Sequence, residues 1–416
     1  MYPPSERDPR YRLLDVFRGV ACVMVVLHHA GNAIAEADGR GTGLSAWVGW
    51  ALYGFTRAMS LGVPLFFVIS GYCITASVDA TRRRGSWSWS FLGRRVRRIY
   101  PPYWAALLWF VVIVAAADAL GRPWLHDTEA VALKLVSPTK LDRWQWLGNL
   151  TLTETWRSHA WNAYRVIFTD PTRDHSPLSS ELILTRIAWS LCYEEQFYFV
   201  CFLVLALAPR RMFRALAAVT IASALVAGVA VDVGWGHMIE GSSPYLWHEF
   251  AVGVAVYWRL VAAGPGRSKR LVEVVLAILA AGTLAAGYAS AATASALGVA
   301  LILLRDYDDR AAASRLLAPL QACGRRCYSI YLAHLPACVL VNTSLFWLGL
   351  RSFPARAGVM MPLSAAAGLA AGWAFFRLVE VHFLNPPVVR RRPESAPAAI
   401  EAPLAGEASP EPLATP

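Results

Sequence analysis

LLDVFRGVACVMVVLHHAGNAIA, residues 13–35, is long and apolar enough to cross a bilayer, yet it carries Asp15, Arg18, His28 and His29. Each of these would cost several kcal/mol facing lipid, so ionisable groups at such depth usually face a bundle interior and have work to do there. Eleven residues of helix rise separate Arg18 from His29 by roughly 16 Å and return them to nearly the same face. One side of this helix thus presents a guanidinium at one level and an imidazole at another.

The remainder of the chain has the same character. Its 416 residues are 56% hydrophobic and only 16% charged, with a mean hydropathy of +0.41. Soluble domains run nearer a quarter charged residues, so the composition points to an all-α, polytopic integral membrane bundle. Apolar runs predict ten transmembrane helices, at 13–35, 58–78, 99–119, 189–208, 213–232, 244–262, 270–288, 290–304, 327–349 and 358–382. The eighth is short and alanine-rich and could merge with the seventh into a re-entrant hairpin. The first span is too long for a cleavable signal and lacks a small-residue cleavage site, so it is expected to direct insertion itself.

The net charge of +11 follows topology rather than a nucleic-acid partner. With the N-terminus inside, Arg82, Arg83, Arg84, Arg94, Arg95, Arg97 and Arg98 gather on the cytoplasmic side. So do Arg210, Arg211, Arg214, Arg267, Lys269, Arg270, Arg305, Arg310, Arg315, Arg325, Arg326 and the run 390–392. Short outer loops hold only Arg40, Arg57, Arg351 and Arg356. This bias and the even number of spans both place the two termini in the cytoplasm. The expected organisation is a tail at 1–12, a membrane domain at 13–383 and a disordered Ala/Pro/Glu-rich tail at 384–416. Within the membrane domain, residues 121–187 form a long outer loop rich in tryptophan. Trp124, Trp144, Trp146, Trp156 and Trp161 read chiefly as an interfacial belt, with a lid over an acceptor as the sharper alternative. The seven cysteines (22, 73, 192, 201, 323, 327 and 338) read as small buried hydrophobes, with no metal-binding pattern.

Four polar groups carry candidate chemistry. His29 and Glu194 (in AWSLCYEEQFYF) each fall about five residues inside an outer span end, roughly 7–8 Å deep. At matched depth they can act as a base and its orienter; Glu195 is the alternative carboxylate. Near the inner boundary Arg18, Arg95 and Arg98 (FLGRRVRRIYPPYW) and His334 (CYSIYLAHLPA) form a layer suited to phosphate. Ser70 and Gly71 interrupt GVPLFFVISGYCIT, and with no base evident beside it Ser70 reads as a packing residue rather than a nucleophile. Arg377, Glu380 and His382 read as a structural ion-pair group.

In order, these motifs resemble those of the acyltransferase-3 family of polytopic membrane O-acyltransferases. Arg18 and His29 match that family's arginine and histidine with ten residues between them, and His28 falls at a variable position. Arg95 and Arg98 match its paired arginines, Glu194 its glutamate and His334 its histidine, while GVPLFFVISGY matches its glycine-serine segment. The similarity runs from about Tyr11 to Phe383. Two departures stand out: Glu380 is followed by Val381 and His382 where the family often has Arg and Pro, and the outer loop is longer.

What the resemblance implies is transfer of an acyl group, most often acetyl, from acyl-coenzyme A as co-substrate to a hydroxyl. The acceptor would be a carbohydrate, such as a cell-surface polysaccharide or glycan precursor, or a macrolide-like compound. The expected location is the bacterial cytoplasmic (inner) membrane, with no cofactor and no metal. In this reading Arg18, Arg95 and Arg98 anchor the donor, His334, Glu195 and Ser70 line the substrate site, and His29 is general base with Glu194. A secondary transporter of a sugar or lipid-linked precursor is the rival, because buried charge also serves ion and substrate paths.

Overall fold

The computed structural model describes residues 11–34, 38, 43–119, 136–168, 183–263 and 267–384. Arg40, Trp124, His126, His175, the run 390–392 and most of both tails lie outside these residues. Every regular element among the described residues is helical, as expected.

The chain opens with α1 (Leu13–Ala30), continued by one tight turn through Ala33. Next come α2 (Leu44–Ala58), α3 (Gly62–Arg83) and α4 (Ser88–Ala119). Two shorter helices, α5 (Arg143–Leu150) and α6 (Glu154–Phe168), lead to α7 (Trp189–Leu207), α8 (Met212–Asp232) and α9 (Gly236–Ile239). After α10 (Ser243–Tyr257), α11 (Arg267–Ala285) and α12 (Ala289–Leu303) come the short α13 (Asp308–Ala312) and α14 (Ala318–Arg325). The last three are α15 (Cys327–Trp347), α16 (Phe353–Ala355) and α17 (Met361–Leu378).

Helices stand at all ten expected positions, but among the described residues only seven are long and apolar enough to cross a membrane. An eighth is counted if Ala289–Leu303 and Arg305–Ala312, bent by 55°, form one broken span. Of the others, α10 continues through a π-helical turn to Ala262, 20 residues in all, but carries His248, Glu249 and Arg259, and α11 starts with Arg267, Lys269, Arg270 and Glu273. Between Arg214 and Asp232 the exposed surface of α8, with Ile221, Leu225, Val229 and Val231, is apolar, as a helix facing lipid must be.

Two differences from the expected layout position the site. The long connection after α4 is not structureless: α5 and α6 fold within it, and a capping box on Asp142 starts α5. It is fastened to α4 by Tyr103 Oη donating to the Asn149 carbonyl (2.7 Å) and Trp104 Nε1 to that of Leu150 (2.9 Å). Trp144, Trp156 and Trp161 stay exposed, in keeping with an interfacial belt. Secondly, α4 begins at Ser88, three turns before the expected start, and runs through Pro101 and Pro102. Arg95 and Arg98 are therefore helix residues one turn apart on a common face, not loop residues.

Close helix approach fixes the neighbours of α1 and α3. A Cβ on Gly71 would lie 2.2 Å from the Phe250 carbonyl oxygen, and one on Gly253 2.0 Å from that of Val68. Backbones thus meet where α3 crosses α10, the packing that small residues permit between membrane helices. Likewise Gly19 and Gly324 let α14 lie directly on α1, Gly324 against the Asp15 carbonyl. At the far end of α3, fully buried Asp79 accepts from Arg82, Arg83 and the Tyr257 hydroxyl. Glu380, expected in an ion pair with Arg377 and His382, instead accepts from the Ser329 amide (3.0 Å) and hydroxyl. It thereby caps the free amides that begin α15.

Candidate active site

A cavity of about 170 Å³ opens between α1, α3, α4, α7 and α15, far more than the roughly 10–15 Å³ that one water needs on this measure. Arg18, Arg95, Arg98, Ser70, Glu194 and Tyr331 are among the residues that line it. The three expected arginines therefore do converge, from α1 and α4. Arg18 donates to Asp15 Oδ1 (2.8 Å) and from its other terminal nitrogen to Cys73 Sγ (2.8 Å), so its fork is held between its own helix and α3. Arg95 sits over the rings of Phe91 and Tyr198, each 5.8 Å from its guanidinium carbon. Arg98 has no hydrogen bond or ion pair among the described residues, which leaves its five donors for a ligand. Three guanidinium groups against the single carboxylate lining the cavity make it an anion site.

Glu194 belongs to this arginine cavity rather than to the histidine level. Its carboxylate accepts from the Ser70 hydroxyl, and the expected pair with His29 is not made. The expectation measured depth from helix ends, as though all ends were level. In the fold α7 turns Glu194 toward α3 and α4, where Ser70 and the longer α4 supply its neighbours. Glu195, about 100° round the helix, faces elsewhere: its Oε2 accepts from the Tyr100 hydroxyl (2.7 Å), which also lies 3.0 Å from the Thr151 carbonyl.

Around His29 the neighbours are imidazoles. Its ring centre lies 4.9 Å from that of His28 and 5.2 Å from that of His334. His28 is turned to α2, its Nδ1 2.9 Å from the Thr56 carbonyl oxygen. His334, expected at the arginine level, stands instead two turns into α15 at the histidine level, fully buried. No group of three or more His, Cys, Asp or Glu among the described residues is arranged to hold a metal ion.

The two levels share a wall, and the space between them is too tight to hold a water molecule. Val25, Phe66 and Tyr331 line the arginine cavity and also a narrow cleft that continues between Cys22, Val26, Ile330 and His334. Tyr331 is held there by Ser190 Oγ (2.8 Å) and the Ile187 carbonyl. The sequence reading missed Tyr331, Tyr198 and Cys73. Helical spacing could have found them, since Tyr331 lies three residues before His334, Tyr198 four after Glu194 and Cys73 three after Ser70.

With this geometry in place, a family model described as "Acyltransferase domain" matches residues 11–377, nearly the whole described chain. The chain belongs to this acyltransferase family. It is also 28% identical over 347 residues to BcsY of Komagataeibacter xylinus, described as a "Putative membrane-bound transacylase"; the match covers 81% of this chain and 75% of that one. No solved structure matches. This acyltransferase is an integral, multi-pass membrane protein, and acyl transfer needs a donor, an acceptor and a path between them.

Proposed function

We propose that this acyltransferase moves an acyl group, acetyl in the simplest case, from acyl-coenzyme A to a hydroxyl of a carbohydrate. The acceptor class is a cell-surface polysaccharide or glycan precursor, with a macrolide-like compound as its nearest chemical alternative. One observation carries the reading: an arginine cavity at one level of α1 is separated from His334, beside His29, only by a closed neck that shares Val25, Phe66 and Tyr331 with it. In this reading a donor with phosphates on Arg18, Arg95 and Arg98 extends its pantetheine arm past Val25, Phe66 and Tyr331, whose side chains must part to admit it. The roughly 16 Å of helix between Arg18 and His29 is comparable to the reach of such an arm. Membrane embedding supports a cytoplasmic donor face and an acceptor arriving from the other side of the bacterial inner membrane.

In this mechanism His29 is the general base. As the acceptor oxygen attacks the thioester carbon, its proton passes to His29. The tetrahedral intermediate then collapses, the carbon–sulfur bond breaks and the imidazolium returns the proton to the departing thiolate. The products are an ester and free coenzyme A. Glu194 serves the donor end, where with Ser70 it sets a fixed negative charge among the arginines.

The test uses purified protein in lipid nanodiscs, with acetyl-coenzyme A and glycans extracted from the host envelope. Release of free thiol together with ester formation on the glycan supports the reading. Binding of the glycan without any thiol release would favour transport.

A further inference from the structure

His334 is fully buried, and its hydrogen bonds fix which of its nitrogens is basic. Nδ1 lies 2.9 Å from the Ile330 carbonyl oxygen and 2.8 Å from that of Tyr331. Carbonyl oxygens only accept, so Nδ1 carries the hydrogen and the neutral ring keeps its lone pair on Nε2. That Nε2 is buried and has no hydrogen-bond partner among the described residues, and the same holds for Nδ1 of His29. The two rings face each other with centres 5.2 Å apart, tilted by 42°. Packing holds the His334 side chain at its base, because Gly368 of α17 comes so close that a Cβ there would lie 3.2 Å from the His334 Cβ. Imidazole χ2 is a broad torsion, and the pairing requires His29 to rotate about it until an N–H meets the lone pair of His334.

We infer that His334 is the positioning residue for His29: its Nε2 accepts the His29 N–H and so turns the other His29 nitrogen, with its lone pair, toward the acceptor hydroxyl. This inference rests on the acyl-transfer reading above. It fills the place that Glu194 leaves by bonding to Ser70. A neutral acceptor orients the base as a carboxylate would, but adds no negative charge at the level where the acyl group is transferred. When His29 takes the acceptor's proton, both of its nitrogens become donors, and the one on His334 keeps its partner throughout. His334 itself gains no proton. The other titratable groups facing His29 are His28 on the same helix, Arg57 on α2 and Arg186 just before α7. All three are basic, so among the described residues no carboxylate competes for the role.

The test compares His334→Leu, which removes the acceptor, with His334→Gln, whose side-chain oxygen can replace it. Thiol release from acetyl-coenzyme A is followed against pH in nanodiscs. Loss of the acceptor should lower kcat by about tenfold or more and shift the acid limb of the pH profile. The Gln variant should stay within about threefold, and KM for acetyl-coenzyme A should stay within about twofold in both. Parent kcat and pH profile in the Leu variant, or equal loss in both variants, would overturn the inference. A second readout needs no turnover and covers a Leu variant that fails to fold. In ¹⁵N-histidine-labelled protein, the Nε2 resonance of His334, identified by its absence from the Gln variant, should move when His29→Gln removes its donor. An unmoved resonance overturns the assignment, whereas a moved resonance in protein without turnover leaves the pair standing and counts against acyl transfer alone.

Discussion

Ser70 of α3 donates its hydroxyl proton to the carboxylate of Glu194 on α7, and this one bond divides the site into two ends. It holds the only carboxylate that lines the cavity, among the described residues, beside Arg95 and Arg98. His29 is left with imidazole neighbours at 4.9 and 5.2 Å. On the proposed mechanism donor anchoring and proton transfer fall at opposite ends of the site, and the two ends can be perturbed separately.

The donor end should respond as an anion site. Arg98→Ala should raise KM for acetyl-coenzyme A by about tenfold, the equivalent of ~1.4 kcal/mol, with kcat changed much less. Affinity in the parent should also weaken as ionic strength rises. Titration calorimetry with coenzyme A checks both, and unchanged affinity in Arg98→Ala would remove the phosphate assignment.

Ser70 separates two roles by its own substitution. A residue that only holds Glu194 should keep measurable activity in Ser70→Ala, lowered by about 150-fold at most, since a hydrogen bond to a charged group is worth roughly 1.5–3 kcal/mol. A nucleophile should lose activity by orders of magnitude and, in the parent, trap labelled acyl on Ser70 when acceptor is withheld. Intact-protein and peptide mass spectrometry distinguish the two outcomes.

The neck offers a steric test. Val25 lines both the cavity and the cleft, so Val25→Trp should block the path while leaving the arginines intact. Coenzyme A should bind within about threefold of the parent by calorimetry, whereas turnover should fall by about 10²-fold or more, as misplaced reactants do. Full turnover in Val25→Trp would mean that the acyl group takes another route.

Packing at the α3–α10 crossing should be unforgiving. Gly71→Val places a side chain where even a Cβ would lie 2.2 Å from the Phe250 carbonyl oxygen. Overpacking of this kind costs about 1–3 kcal/mol, so the variant should melt several degrees lower in detergent. An unchanged melting temperature would show that the two helices separate more easily than their contact suggests.

Much of this was legible in the sequence because a membrane makes ionisable residues conspicuous. Arg18 and His29 stand out of an apolar run, and the rise of one helix gives their separation without any knowledge of its partners. What could not be read was how helix ends align, since that depends on the crossing of α3 with α10 and on α4 continuing through Pro101 and Pro102. Glu194 and His334 were therefore each placed at the wrong level, Glu194 with the histidine and His334 with the arginines. Ten apolar runs outnumber the seven or eight helices that are long and apolar enough to cross among the described residues, because α12 has only 15 residues and α10, 20 residues with its continuation to Ala262, is diluted by His248, Glu249 and Arg259. Within the long connection, α5 and α6 were hidden because their aromatic faces look the same as an interfacial belt.

The central claim is that His29 accepts the proton of the hydroxyl that takes the acyl group. Its most direct test is the rate of ester formation on envelope glycan by purified parent and His29→Gln protein at saturating acetyl-coenzyme A, with coenzyme A affinity measured in parallel. The account predicts a loss of about 10²- to 10⁴-fold in rate with donor affinity unchanged. Ester formation by the folded His29→Gln protein at near the parental rate would contradict it.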